Sequence, residues 1–490
     1  MKSFFKLGLF LVVVFSFLFI AAYNPSLSLA SSAKIKEAPS LEDKLGKAKA
    51  AFDVNKMSDM SDYEPANPVI PTGDTIKIAL VAPFSGPSAG NGELFFALVQ
   101  WVAHDINKRG GLLVDGKKKS IQVIKADHQN KVDAAKKVCE RMALVDKVNF
   151  FWGADMTLIT KIVFDVAKKY KIIAMNPSSL SDELSDATNF SRYTFFASPS
   201  AKQIGQAMAY FFGQIRKKEK KFYLINPDYS GGRAVIEAFK KGLEEYYPAA
   251  QIVGEDYYKL FLTDFAPFLT KIKASGAEVI FTGAFDPDAS NMLKQSRQMG
   301  LTLPFAALYF ESPDMFRTVG IEGSKGIMNI HYYSENEPYF KTKDVIKFYE
   351  QWRKAQEKWK SSTYNSPMYV NNIGSGMGYL MATYWMMSVI ERAQSLDPEK
   401  IIPVWENDSY KYVNGKVVRM RTCDHKMISN LAVYETVPPV QQKVSMNIAP
   451  YYWFNDCSYW GPLRVIPAGR ILPWMDEKLD RCKGKNGWGE

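Results

Sequence analysis

The sequence predicts an α/β fold of two Rossmann-like lobes, each a parallel sheet covered by helices, joined by a hinge. Short apolar runs alternate with amphipathic stretches of helical length, and this alternation starts a second time near residue 198. The composition agrees, because 490 residues with 47% hydrophobic and 23% charged residues are globular and long enough for several domains. Parallel sheets bind ligands at the carboxyl ends of their strands, so two facing sheets predict a ligand in the cleft between the lobes.

The first 30 residues predict a cleaved secretory signal peptide. Lys2 and Lys6 precede an uncharged apolar run over residues 7–22, and Ser28-Leu29-Ala30 offers a small-x-small cleavage pattern. An uncleaved membrane anchor is the alternative, although the run is shorter than the roughly 20 residues of a full span. Export predicts a periplasmic location. It also means that the net charge of +11 need not indicate a nucleic-acid partner, and none is expected.

The next segments predict a linker and the first lobe. Residues 31–75 mix charged residues and prolines, and only residues 41–52 have the pattern of an amphipathic helix. The first lobe is expected at residues 76–197, completed by residues 333–404. Its predicted strands are 76–82, 121–126, 148–152 and 171–175, and its predicted helices are 94–106, 134–145, 157–170, 345–359 and 367–393.

The second lobe is expected at residues 198–332, completed by residues 405–437. Its predicted strands are 222–225, 252–257, 279–282, 305–308, 327–331 and 431–434, with helices at 204–215, 234–246, 265–274 and 289–299. Asn414-Gly415 predicts a tight hairpin between strands 410–413 and 417–421. Crossovers are expected near Ala197, Tyr333 and Val404, and residues 438–490 form a C-terminal extension.

The sequence offers little catalytic chemistry. It contains no G-x-S-x-G motif, no P-loop and no H-E-x-x-H motif, and its four histidines lie far apart. His128 and His425 each follow an aspartate, but adjacent residues of a strand point to opposite faces, which favours hydrogen-bonded histidines over metal ligands. We therefore expect no catalytic residue, metal or cofactor, and a protein that is not an enzyme.

Small polar residues recur in loops that follow the predicted strands. The loops are residues 153–157, 176–180, 226–232 and 283–287, and the second contains Ser178 and Ser179. Hydroxyls and unpaired backbone N–H groups at helix N-termini suit an anion such as a carboxylate. For any single loop taken alone, ordinary helix capping is the favoured explanation. Four such loops at one sheet edge, without a catalytic group, favour binding over turnover.

These residues also carry a family resemblance. Residues 78–87 (IALVAPFSGP), 103–111 (AHDINKRGG) and 281–300 (FTGAFDP leading into MLKQSRQMG) resemble the type I periplasmic binding proteins of ABC transporters, the leucine/isoleucine/valine-binding class. The likeness runs from about residue 76 to residue 434. It implies a monomeric solute-binding protein that closes around a small molecule and delivers it to an ABC permease in the inner membrane.

The resemblance also implies a set of ligand-binding residues. Thr157 and Ser179 take the places that grip a ligand carboxylate, Tyr229 and Phe285 match pocket aromatics, and Asn91 replaces a tyrosine of the first loop. The acidic residue that holds an ammonium group in this family falls on Tyr309 without a gap, or on Glu311 with a short one.

The sequence does not determine which ligand or which membrane partner the protein has. A carboxylate such as an amino acid is expected, while a pocket lined by Tyr309 and Phe285 also suits an aromatic acid. Residues 419–425 (RMRTCDH) resemble a segment of divergent family members, including some linked to aromatic acids. A ligand-sensing subunit for a membrane receptor has the same fold, and an exported hydrolase is a weaker alternative because no catalytic triad can be assembled.

Two of the four cysteines lie in the C-terminal extension, and an exported protein permits disulfides. Cys457 with Cys482 is the predicted pair, because short loops close more readily. The alternative pairs Cys423 with one cysteine of the extension and leaves Cys139 as a buried thiol on its helix.

Overall fold

The computed structural model describes residues 38–311, 313–331, 342–356, 358, 375–438, 459–461 and 464–490. Its first large sheet is parallel with strand order β5-β2-β6-β7-β8. The strands are β2 (Ile76–Ala82), β5 (Ile121–Asp127), β6 (Phe150–Gly153), β7 (Ile173–Asn176) and β8 (Thr194–Phe196), with helices α2 (Ala89–Lys108), α3 (Val132–Leu144) and α4 (Thr157–Tyr170) between them and the hairpin β3 (Leu112–Val114) and β4 (Lys117–Lys119) beside them. A 3-10 turn, Asp182–Ser185, precedes β8.

The second large sheet has strand order β10-β9-β11-β12-β13-β17-β18, with β19 also paired to β17. Its strands are β9 (Lys221–Pro227), β10 (Gln251–Tyr258), β11 (Val279–Thr282), β12 (Phe305–Ala307), β13 (Met328–His331), β17 (Leu431–Val437), β18 (Tyr459–Trp460) and β19 (Arg464–Ile466). Its helices are α5 (Ala201–Tyr210, continued by a π-helix at Phe211–Arg216), α6 (Ser230–Tyr246), α7 (Ala266–Ala274), α8 (Asp288–Gln298) and α9 (Pro313–Gly323). The strands up to β13 are parallel, and the later ones are antiparallel. The predicted α/β fold with two lobes is confirmed.

A third sheet joins distant parts of the chain. It has the order β1-β14-β15-β16, with strands β1 (Ala50–Ala51), β14 (Ser409–Lys411), β15 (Val417–Met420) and β16 (Met427–Ser429). The predicted hairpin at Asn414-Gly415 is confirmed, since β14 and β15 pair antiparallel. The predicted helix over residues 41–52 is wrong beyond Leu45: α1 (Leu41–Leu45) ends at Gly46, which has a φ of 68°, and Ala50 then pairs with Tyr410. The pairing of Ala50 with Tyr410 cannot be recognised from the sequence around Ala50 alone.

The core lies on both faces of the parallel sheets. Six of the seven residues of β2 are buried, as expected for a central strand covered by helices on both sides. The later helices α10 (Lys343–Gln356), α11 (Ser375–Ala393) and α12 (Pro398–Trp405) add large aromatic side chains to this core. Trp101 of α2 packs against Trp352 of α10 with ring centroids 4.7 Å apart, and both are buried. None of the helices in the described ranges has both the length and the apolar character that a bilayer span requires.

The end of the chain is fastened to the loop between β15 and β16. We call residues 421–426 and 473–490 together the C-terminal clamp. The Arg421 guanidinium forms two hydrogen bonds to Asp424, of 2.8 and 2.6 Å, and donates to the carbonyl oxygens of Pro473, Trp474 and Gly487. Arg421 and Asp424 are both buried.

The clamp also contains the disulfide, which joins Cys423 to Cys482. The predicted pairing of Cys457 with Cys482 is therefore wrong, and the alternative that uses Cys423 is correct; Cys139 is the buried free thiol expected in that case. The contacts of Arg421 bring residues 473–487 to the loop that carries Cys423, so folding rather than loop length selects the pair. Cys457 itself lies outside the described residues.

The lobe boundaries given above stay a prediction. The chain leaves the first sheet after Phe196, and residues 409–437 divide between the third sheet and β17 of the second sheet. Tyr333, the predicted second crossover, lies outside the described residues, as does the predicted signal peptide at residues 1–30.

Candidate functional site

One pocket collects all eight residues that the sequence singled out. It contains about 800 Å³ of atom-free space, part of which is open solvent. The sequence-predicted residues that line it are Asn91, Thr157, Ser178, Ser179, Tyr229, Phe285, Tyr309 and Glu311. The other lining residues are Leu94, Phe95, Asp155, Leu180, Asp286, Gly376 and Tyr379.

The pocket lies where the two lobes approach each other. Most of its residues follow the carboxyl ends of β6 and β7 in the first sheet and β9, β11 and β12 in the second, and helices α2 and α11 supply the others. The approach is close: a Cβ atom added to Gly231 of the second lobe would lie 3.0 Å from the Oγ1 atom of Thr157 in the first. Strand ends of two parallel sheets thus meet at one site, as expected for this topology.

Hydroxyl groups form the first-lobe wall. Asn176, at the end of β7, is buried and its Oδ1 atom accepts hydrogen bonds from the backbone N–H groups of Ser178 and Ser179 at 2.8 and 2.7 Å. This bends the loop so that both serines reach the pocket. The Ser178 hydroxyl donates to the Ala154 carbonyl oxygen at 3.0 Å. The hydroxyls of Thr157 and Ser179 are buried and have no hydrogen-bond partner in the described part of the chain.

Three helices begin beside this pocket without a side-chain cap. Asn91 lies in the first turn of α2, Thr157 is the first residue of α4, and Tyr229 is the N-cap residue of α6; none of the three starts has a capping side-chain hydrogen bond. By contrast, Ser200 caps α5 with a reciprocal pair of bonds to Gln203. At α4 and α6 the uncapped N-termini present N–H groups and a partial positive charge, which favours an anionic ligand group. At α2 the backbone N–H groups of Ala89 and Asn91 instead donate to the carbonyl oxygens of Gly86 and Ser88. Ordinary capping, the alternative explanation for these loops, is not seen at α4 or α6.

Aromatic rings and an acid form the second-lobe wall. The Phe285 ring stands edge-on to Tyr229 and to Tyr309, with centroids 6.4 Å apart in both pairs. Burial, with a smaller contribution from Asp155, raises the pKa of Tyr229 above its ordinary value, and burial does the same for Tyr309. Both phenols are therefore protonated donors at neutral pH. Glu311 is buried and adds a carboxylate.

A buried asparagine also shapes the loops of the second lobe. Asn226, at the end of β9, donates to the Gly232 carbonyl oxygen at 2.7 Å and accepts a hydrogen bond from the backbone N–H of Gly283. It thereby ties the first turn of α6 to the loop after β11. Asn176 thus orders its own loop, whereas Asn226 connects two separate segments.

Asp155 is the main site residue that sequence reasoning missed. It lies in the loop before α4, and its Oδ1 atom is 3.1 Å from the Nε2 atom of His128. His128 is the strand-end histidine expected to be hydrogen-bonded, and that expectation is confirmed. Asp155 was visible only as one polar residue of a loop, because its partner lies 27 residues away in sequence.

The cluster nearest to metal-ligand spacing in the described ranges is occupied by other bonds. It consists of Cys423, Asp424 and Cys482. The two cysteines form the disulfide, and Asp424 is paired with Arg421. No thiolate is left there to bind a cation.

Comparison with known proteins identifies the family. A family model described as periplasmic binding protein matches residues 75–439. The chain belongs to the periplasmic binding protein family. It is 23% identical over 347 residues to the leucine-, isoleucine-, valine-, threonine-, and alanine-binding protein of Pseudomonas aeruginosa, a match covering 70% of this chain and 85% of that protein.

A second curated relative is matched over a shorter length. The chain is 26% identical to Leu/Ile/Val-binding protein homolog 4 of Brucella abortus, over 51% of this chain and 60% of the relative. The chain thus spans less than two thirds of that relative's length. Both relatives are named as binding proteins, and the expectation that this chain is not an enzyme is confirmed at the level of the family.

Solved structures share the fold. The leucine-, isoleucine-, valine-, threonine-, and alanine-binding protein of Brucella ovis, in its closed conformation, superposes with a TM-score of 0.66 at 20% identity, covering 83% of this chain and 98% of that one. A solute binding protein of an ABC transporter from Rhodopseudomonas palustris, in complex with 3,4-dihydroxybenzoic acid, gives 0.65 at 17% identity, covering 81% and 98%. At such identities the likeness concerns the fold of this binding protein and not its ligand.

Proposed function

We propose that this protein is the extracytoplasmic solute-binding component of an ABC uptake transporter and that it captures an amino acid by closure of the two lobes. One observation carries the proposal: the pocket has a polar first-lobe wall with two unpartnered hydroxyls and an acidic, aromatic second-lobe wall. A zwitterion has one group for each wall.

The ligand carboxylate is assigned to the first lobe. Thr157 and Ser179 supply hydroxyl donors, and the uncapped start of α4 supplies backbone N–H groups and a favourable dipole. Buried hydroxyls without a partner are costly, and a bound carboxylate would remove that cost. The described lining contains no lysine or arginine, so these donors carry the anion recognition.

The ligand ammonium is assigned to Glu311, with the phenols of Tyr229 and Tyr309 nearby. An aromatic acid is the second candidate, supported by the edge-on cluster of Tyr229, Phe285 and Tyr309. Glu311 favours the amino acid, because a buried carboxylate repels a ligand that has only a negative charge.

Location and partners follow from this role. Periplasmic binding proteins work outside the cytoplasmic membrane. The expected partner is an ABC permease in that membrane, which takes up the bound solute. The protein is expected to act as a monomer. Closure predicts a smaller radius of gyration with ligand than without it by small-angle scattering. Identical curves at saturation would contradict closure, and co-purification with a receptor instead of a permease would indicate a sensor.

A thermal-shift screen of amino acids, amides and aromatic acids tests the ligand class. A ligand at 100 times its dissociation constant adds about 2.7 kcal/mol to stability, which is a clear rise in Tm. The expected result is a rise with one or more amino acids. A rise with 4-hydroxybenzoate and with no amino acid would replace the amino acid by the aromatic acid.

A further inference from the structure

Asp155 places a second carboxylate in the pocket, and the fold holds it in a fixed orientation. Its side chain is 11% exposed, while His128 behind it is fully buried. The backbone N–H of Asn130 donates to the Nδ1 atom of His128 at 3.1 Å, so the ring proton resides on Nε2. Nε2–H then donates to the Oδ1 atom of Asp155.

This arrangement leaves the other oxygen of Asp155 available. Within the described ranges, Oδ2 accepts no hydrogen bond, although the residue lines the pocket. A merely structural aspartate of this burial would be expected to use both oxygens. His128 is a positioning residue, because it contacts the acid and not the pocket.

The charge of the lining is one-sided. Asp155, Asp286 and Glu311 line the pocket, and no lysine, arginine or histidine is among its described lining residues. Asp286 is engaged by Ser290, whose backbone N–H and hydroxyl both donate to it. The unpartnered buried hydroxyls of Thr157 and Ser179 independently mark the same pocket as a ligand site.

We propose that the pocket selects a cationic amino acid, whose second cationic group pairs with Asp155 in the orientation set by His128. The proposal rests on the function proposed above and names its substrate class. A ligand with an aliphatic side chain would cover the Oδ2 atom of Asp155 without replacing the water it loses, which is unfavourable for a carboxylate. A guanidinium or ammonium group compensates that loss by a charge-assisted hydrogen bond.

Titration calorimetry with three probes tests this selection. L-Arginine and L-lysine represent the cationic class, and L-leucine has a comparable size without the second charge. We expect at least one cationic probe to bind at least tenfold more tightly than L-leucine. Asp155→Asn should reduce that ratio at least tenfold. Asp165→Asn is the matched control, since it removes one negative charge from an exposed position of α4, the helix that follows Asp155, and should leave the ratio unchanged.

The role of His128 has its own readout. His128→Leu removes the donor and should reduce the ratio of arginine to leucine affinity, while His128→Gln retains an N–H donor and should restore most of it. A structural role alone would shift both affinities together and leave the ratio constant. If His128→Leu does not fold, Asp155→Asn with its control still decides the proposal.

The outcomes separate this proposal from the one on which it rests. If L-leucine binds as tightly as both cationic probes, the cationic selection is wrong and the amino-acid function stands. If Asp155→Asn weakens all three probes equally, Asp155 does not determine specificity. If none of the twenty amino acids binds, both proposals fall.

Discussion

The C-terminal clamp and the ligand pocket both bury polar groups, but they differ in whether those groups have hydrogen-bond partners. In the clamp, Arg421 uses its guanidinium for bonds to Asp424 and to three backbone carbonyl oxygens. In the pocket, the hydroxyls of Thr157 and Ser179 have no partner among the described residues. Buried polar groups that are satisfied stabilise one conformation, whereas unsatisfied ones carry a cost that a ligand can remove. The difference separates residues for stability from residues for binding.

Breaking the clamp should have the largest effect. Arg421→Ala leaves the buried Asp424 carboxylate unpaired and is expected to cost about 3–5 kcal/mol of unfolding free energy, measured by urea denaturation. Arg192→Ala is the control, since Arg192 pairs with Glu399 at the surface and should cost less than about 1 kcal/mol. Equal losses of unfolding free energy in the two variants would mean that the buried pair stabilises the fold no more than the surface pair does.

Removal of the disulfide should be nearly as costly. Cys423 and Cys482 are 59 residues apart, and closing a loop of that length contributes about 4 kcal/mol in the chain-entropy model. The double variant Cys423→Ser/Cys482→Ser should therefore have a lower Tm than the wild type. Reductant should lower the Tm of the wild type towards that of the variant, which itself should not respond. Non-reducing peptide mapping checks the pair directly.

Asp288 provides a pH-dependent test at the edge of the pocket region. It is 1% exposed, one of its oxygens has no partner among the described residues, and burial raises its pKa from 3.8 to about 7. The folded state therefore keeps a proton that the unfolded state releases, so stability falls as pH rises from about 4 to about 7.

Asp288→Asn should remove this pH dependence. The variant is expected to be more stable than the wild type at pH 8, by at most about 4 kcal/mol, with the difference vanishing near pH 4. Urea denaturation at several pH values measures it. An advantage that is constant across this range would contradict the titration of Asp288.

Thr157→Val should have the smallest effect on the free energy of unfolding but the clearest effect on ligand affinity. The variant nearly preserves shape and removes a hydroxyl that has no partner among the described residues, so stability should be unchanged or slightly higher. Loss of a hydrogen bond to a charged ligand group should weaken affinity by about 1.5–3 kcal/mol, roughly ten- to a hundredfold. An unchanged dissociation constant for the amino acid found in the screen would remove Thr157 from the carboxylate site.

Local pattern predicted most of the two large sheets. The strands Ile76–Ala82 and Val279–Thr282 and the helix Thr157–Tyr170 were predicted with the bounds that the structure shows, because apolar periodicity is a property of neighbouring residues. The third sheet was not assembled from sequence, since the pairing of Ala50 with Tyr410 depends on contacts between distant segments. The disulfide was mispredicted for the same reason.

The site residues likewise divide into those that the sequence located and those that only the tertiary structure reveals. Family resemblance located seven of the residues that the structure brings into one pocket, and the pattern of polar loops located the eighth, Ser178. Family resemblance did not locate Asp155, whose significance depends on the tautomer of His128 and hence on the backbone N–H of Asn130. Hydrogen-bond relays of this kind are fixed by tertiary geometry, and no spacing rule in the sequence reveals them.

The clamp and the residues just before it contact segments of both lobes, and these contacts bear on the resistance of the protein to proteases. Lys426 bonds to Asp182, and Asp476 accepts a hydrogen bond from the backbone N–H of Ala187, both on the first-lobe side. On the other side, the Arg470 carbonyl oxygen, just before the clamp, accepts a hydrogen bond from Tyr246 of α6. A protease needs an opened segment, and opening one lobe alone would first have to break these contacts. Cleavage in these segments should therefore require that their hydrogen bonds open first.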